Sequence, residues 1–172
     1  MIKNKVIEIL EKEVGTDVLS FISGSIYKPG TNDCNLSEGR GSVYGIAVKL
    51  SNNDELNCVF VKCDKKNMKI SDWKSIGDDY YPLYWGKDVN MGARLYSHTK
   101  ASKSTGTIQL NDRTELEGKD IIYGAIPCSN YEEIEKRLHK KYPDIYKTKK
   151  LAQNGIEELS INGLSIDENS YN

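Results

Sequence analysis

A chain of 172 residues, 38% hydrophobic and 28% charged, has the length and apolar content of one folded domain with room for a tail. Its net charge of −1 excludes a strongly basic coating protein and an acidic solvating one. No stretch approaches the roughly 18–20 apolar residues of a membrane span, and the opening run 1–10 sets charges among its apolar residues, unlike a signal peptide; a cytoplasmic protein is the expectation.

Residues 3–14 follow helical spacing through Val6, Ile9, Leu10 and Glu13, with Gly15 as C-cap. Thr16 or Asp17 can start a second short helix through Val18, Leu19 and Ile22. Residues 23–41 are interrupted by glycine, proline and asparagine and read as loop. Residues 42–50 alternate Tyr44, Ile46, Val48 and Leu50 onto one face and predict a strand. Asn52-Asn53-Asp54 reads as a turn into a second strand, 55–63, centred on Val59, Phe60 and Val61, so the two form a hairpin.

Residues 64–79 are polar and mixed, and 80–87 read as a third strand that Pro82 assigns to an edge or entry point. A helix follows over 91–100, then candidate strands at 107–110 and 120–126. The helix over 130–142 is signalled by Ser129 as N-cap and Glu132 as its capping-box partner. The tail, 151–172, carries four acids and no lysine or arginine and reads as a peripheral strand or loosely held segment. The order predicts an α+β fold, a small central mixed or antiparallel sheet of about three to five strands flanked by helices.

The four cysteines, Cys34, Cys58, Cys63 and Cys128, form no C-x-x-C pair and are expected to be reduced and mostly buried. Eleven tyrosines against two phenylalanines suggest rings with a polar tip facing a polar cleft.

The informative segment runs from Tyr84 to His98. A strand ends at Gly86, the chain turns, and a helix carries Arg94 and His98 four apart on one face. A planar guanidinium fork and an imidazole over a strand end suit a phosphate. In these residues the chain resembles the GIY-YIG nuclease family. Ser42-Val43-Tyr44 stands for the first motif and Tyr84-Trp85-Gly86 for the second. Arg94 lies eight past Gly86 and His98 four past Arg94, and Asn90 and Met91 sit where the family commonly has Asn and Leu. Glu135 with Leu138 and Pro143 matches the later helix. The likeness covers residues 42–146. Trp85 replaces the usual Ile, and Asp88 stands where Thr is common. The two tyrosine motifs are 40 residues apart, which implies an inserted strand and loop across 55–79. The family's Asn after the proline is absent, with Tyr146 near its place.

The resemblance implies a nuclease core over 42–150, preceded by a helical and loop addition (1–41) and followed by the tail. Of the glutamates on the last helix, Glu132 is assigned to the cap and Glu133 to a pair with Arg137. Glu135 shares a face with Tyr131, Leu138 and Tyr142; a carboxylate on an inward face needs a cation, either a metal or Arg94. The implied chemistry is phosphodiester hydrolysis. Tyr44 takes the attacking water's proton, provided that cations lower its pKa from about 10. Arg94 holds the scissile phosphate, Tyr84 and His98 position or relay, and Glu135 holds Mg2+ or another divalent ion such as Mn2+. Lys87 is expected to add to the field.

Lys100, Lys103, Lys140 and Lys141 belong to basic clusters over 94–103 and 136–150 that suit a double-stranded DNA partner. The loop 23–41 and Trp73 in the insertion are candidates for reaching into a groove. Without a large second domain and with additions before and within the core, the chain most resembles a stand-alone type II restriction endonuclease, in which a double-strand cut implies a homodimer or two successive visits. The alternatives are a non-catalytic nucleic-acid-binding or regulatory protein on the same fold, and a repair or mobile-element nicking nuclease.

Overall fold

The computed structural model describes residues 3–26, 41–62, 73–91, 94, 95, 98, 110 and 113–146. The first helix, α1 (Lys5–Val14), begins where the Asn4 side chain accepts the Ile7 N–H at 3.0 Å and ends at Gly15, whose φ of 86° is the left-handed conformation a glycine adopts at little cost. Val6, Ile7 and Leu10 are buried along one stripe of it.

Four strands form one antiparallel sheet in the order β1 (Ile22–Ile26), β4 (Ile121–Pro127), β2 (Ser42–Lys49), β3 (Tyr80–Asp88). This is the expected α+β class, among the described residues a small antiparallel sheet flanked by helices. The central strand β2 is buried on both faces over its first seven residues. Its two faces differ. Val43 and Ala47 join Trp85, Ile122 and Ile126 under α1 and the helix α3 (Tyr131–Lys141). Tyr44, Ile46 and Val48 join Tyr84, Tyr123 and Leu95 on the other side, with Leu56 and Val59 of α2 (Asn53–Lys62) and Leu116 of a short 3-10 turn (Thr114–Leu116).

Glycines set the close approaches between these layers. In register, Trp85 faces Gly45, and Gly45 faces Gly124. A side chain at Gly45 would enter the Trp85 ring, and one at Gly124 would meet Ile7 and Val6 of α1. On the opposite face Tyr44 is paired with Gly86 and its ring lies over that glycine's Cα, so any larger residue at 86 would displace the phenol.

Several expectations are corrected. Residues 55–62 of the expected hairpin strand 55–63 instead belong to α2, and β2 pairs with β3 and β4. The signal was a helix start read as a turn: Asn52 Oδ1 accepts the Glu55 N–H at 2.8 Å, and Glu55 reaches back to the Ser51 N–H at 2.7 Å. The inserted piece of the core is therefore helical over 55–62, and its end, 73–79, is irregular. Ile22, assigned to a second short helix, opens β1, and 23–26 belong to that edge strand and not to a loop. Only its two end isoleucines are strong β-formers around a central Ser-Gly-Ser, and pairing to β4 decides it. Ser129 does not cap α3; the N-cap is Asn130, without a side-chain cap bond, its Oδ1 accepting from Cys128 Sγ at 3.2 Å. Trp73 does not reach outward but is buried in the core with Tyr84 and Leu95. Cys128 is buried and Cys58 exposed, both free. The loop residues 27–40, the strand at 107–109, Cys34, Cys63 and the tail lie outside the described residues.

Edge strand β3 is covered by the chain beyond α3. Ile145 N–H bonds Pro82 O at 3.0 Å and Tyr146 N–H bonds Leu83 O at 2.9 Å, while Asp144 accepts the Trp85 N–H at 3.1 Å. This seals an edge that would otherwise offer unpaired backbone groups, and it carries the C-terminal end of α3 to the rim where Tyr84 sits.

Candidate active site

Tyr44 and Tyr84 come from adjacent strands and point to the same face, with ring centroids 6.3 Å apart. Arg94, Leu95 and His98 have helical backbone. Leu95 is buried in the core, which turns His98 inward, where it is fully buried. His98 Nε2 lies 2.7 Å from the Tyr44 hydroxyl, and its ring is 4.9 Å from that of Tyr84. The turn before them is fixed by Asp88, whose carboxylate accepts the Asn90 N–H at 3.1 Å and the Arg94 N–H at 2.6 Å. Asp and Thr both serve such turns, so the residue at 88 keeps the local task.

Both phenols are held in their protonated form. Burial pushes Tyr44 well above the ordinary tyrosine range; Tyr84 and the carboxylates of Asp88 and Glu135 push the same way, and Arg94 opposes them. Tyr84 is raised first by burial, then by Glu135 and Asp144, again against Arg94. Arg94 and Glu135, 41 positions apart in sequence, are thus within electrostatic reach of both rings. Arg94 pulls the Tyr44 pKa down, in the expected direction, but by itself it does not offset burial.

The linkage has a sign. A group whose pKa is raised on folding adds stability that is complete below its unfolded pKa, about 10 for tyrosine, and is lost as the pH climbs through the folded value. The unfolding midpoint is therefore expected to hold up to about pH 10 and to fall above it. Thermal melts across that range check this, and Tyr44→Phe should flatten the decline; identical profiles for the two proteins would contradict it.

Glu135 sits at the solvent edge of α3, its side chain 21% exposed, with Oε1 3.4 Å from His139 Nε2. One reachable carboxylate suits a Mg2+ ion, which keeps several waters and takes its remaining ligands from substrate phosphates. Glu133 pairs with Arg137 as expected. Lys87 is not brought to the tyrosines: strand alternation turns it to the Trp85 face, 3.5 Å from Glu132, which was expected in a capping box. Lys141 lies 3.0 Å from the buried carboxylate of Glu13, linking α3 to α1, and Lys140 is exposed on α3. Lys100 and Lys103 lie outside the described residues. Tyr146 supports the β3 edge, its hydroxyl donating to Glu115 at 2.9 Å.

Two residues at this site were not singled out from sequence. His139 is four past Glu135, a helical-face spacing that was there to be read. Asp144 follows Pro143, and its carboxylate lies 2.8 Å from His139 Nδ1; no local pattern joins the two across the end of the helix. No family model, no curated protein and no solved structure matches the chain. Among the described residues no helix is long and apolar enough to cross a membrane.

Proposed function

We propose that this chain is a metal-dependent endonuclease of GIY-YIG type that hydrolyses phosphodiester bonds in double-stranded DNA, acting in the cytoplasm as a small type II restriction enzyme. The observation that carries the reading is the 2.7 Å contact between Tyr44 and His98, with Tyr84 beside it and Arg94 and Glu135 in electrostatic range. A buried phenol with a raised pKa is a poor base by itself. Joined to an imidazole it becomes a relay: Tyr44 passes its proton to His98 Nε2 as it takes one from the attacking water. Tyr84 packs against the same imidazole, ring centroids 4.9 Å apart, and helps to fix its plane.

Arg94 offers two parallel N–H groups to the scissile phosphate and to the charge that grows on it. Glu135 would hold the divalent ion, which when bound supplies charge neutralisation at the phosphate and the leaving oxygen. Lys136 and Lys140, exposed on α3, offer further phosphate contacts. One such site cuts one strand, so a double-strand break calls for a second copy or a second visit.

Supercoiled plasmid incubated with the protein and Mg2+ or Mn2+ should give discrete linear fragments. Absence of nicking with every divalent ion overturns the enzyme reading, and salt-dependent retention of DNA without cutting would identify the non-catalytic alternative.

A further inference from the structure

His139 and Asp144 have no part in the steps above, yet they are built around Glu135. The Asp144 carboxylate is 2% exposed at its side chain and does two things. One oxygen accepts the Trp85 backbone N–H at 3.1 Å; the other lies 2.8 Å from His139 Nδ1. Strand β3 thus fixes the carboxylate and the carboxylate fixes the ring. Tyr84 steadies the same imidazole edge-to-face, centroids 6.0 Å apart at 71°. The remaining ring nitrogen, Nε2, stands 3.4 Å from Glu135 Oε1.

An imidazole that gives its Nδ1–H to a buried carboxylate presents Nε2 as a lone-pair donor of raised basicity, the arrangement that orients most metal-binding histidines. Two donors each about 2.1 Å from one ion lie roughly 3.0–3.4 Å apart at bond angles of about 90–110°. The Nε2–Oε1 separation falls at the upper end of that span and is long for a hydrogen bond. We propose that His139 Nε2 and Glu135 Oε1 are the two protein ligands of a divalent-cation site, with Asp144 as the positioning residue for His139. This rests on the nuclease reading only for the use to which the ion is put.

Among the described residues no set of three or more His, Cys, Asp and Glu side chains gathers as ligands. Water and substrate phosphate complete the sphere, the open arrangement a reacting ion requires. A mixed nitrogen and oxygen pair favours Mn2+ or Co2+ over Mg2+, which prefers oxygen alone.

Mn2+ alone, added to the full chain and followed by electron paramagnetic resonance, is the test. One bound ion is expected, with electron spin echo modulation from an imidazole 14N. The chain has two histidines, so the modulation should persist in His98→Gln and vanish in His139→Gln. Asp144→Asn, which keeps an acceptor for the Trp85 N–H, should weaken Mn2+ binding by about 10–100-fold.

Because a variant at a buried ring can fail to fold, the wild-type spectrum decides alone: bound Mn2+ without nitrogen modulation, or no bound Mn2+, overturns the site. Modulation that survives in folded His139→Gln overturns it too. Plasmid cutting with nitrogen-free Mn2+ would leave the nuclease reading standing without this site. Nitrogen-bound Mn2+ with no cutting would leave the site standing without that reading.

Discussion

Glu135→Ala should abolish cleavage while DNA retention stays close to wild type. The side chain is 21% exposed at the solvent edge of α3 and belongs to neither hydrophobic cluster, so truncation leaves the apolar core intact, and a substitution of this kind shifts stability by about 1 kcal/mol. The basic groups proposed to contact DNA, Arg94, Lys136 and Lys140, are untouched. What is lost is the proposed anchor for the ion, whose stabilisation of transition-state charge is worth several kcal/mol. At about 1.4 kcal/mol per factor of ten, the rate should fall on the order of 10³-fold or more. Single-turnover cleavage beside a gel-shift titration measures both quantities. Cleavage within tenfold of wild type would mean that Glu135 does not hold the ion.

Trp85→Ala should cost more stability than any other single truncation in the sheet, about 3–5 kcal/mol. The ring is fully buried, fills the space that Gly45 leaves open, and packs beside Tyr142 at 6.1 Å. Its indole N–H donates to Tyr142 O at 2.9 Å, so truncation also orphans that carbonyl at the end of α3. For a chain of this size each kcal/mol lowers the melting temperature by about 2–4 °C, giving a drop on the order of 10 °C. Trp85→Phe should lose less, because it keeps most of the ring and gives up the donor. A melting temperature unchanged in Trp85→Ala would show that the α3–β3 interface contributes little. The same variant probes the candidate site from behind, since Trp85 and Asp144 together hold the end of α3 against Tyr84.

Strands with clear alternation were legible in sequence. β2 and β3 run 42–49 and 80–88, within a residue of their predicted spans, because apolar and aromatic runs bounded by turn residues mark strands that are buried on both faces. Helices α1 and α3 were legible from their apolar spacing at period 3.6, with Gly15 ending the first. Residues 53–62 and 22–26 were misread where local preference and context disagree. Val-Phe-Val suggests a strand, but the Asn52 and Glu55 bonds start a helix, and Leu56 and Val59 find the core at helical spacing. Ile22 reads as part of a short helix and 23–26 as loop until β4 supplies the partner.

At the candidate site the spacing of Tyr44, Gly86, Arg94, His98 and Glu135 named the residues, and the fold supplies the relations among them. Sequence by itself determined which side chains are candidates for the site, the periods of the clearest strands and helices and the α+β class, because each is a short-range pattern of residue type. Only the tertiary structure decided that Lys87 faces away from the tyrosines, that burial raises their pKa against the pull of Arg94, and that Asp144 meets His139. Desolvation and side-chain direction depend on what packs from distant parts of the chain, and no local pattern records that.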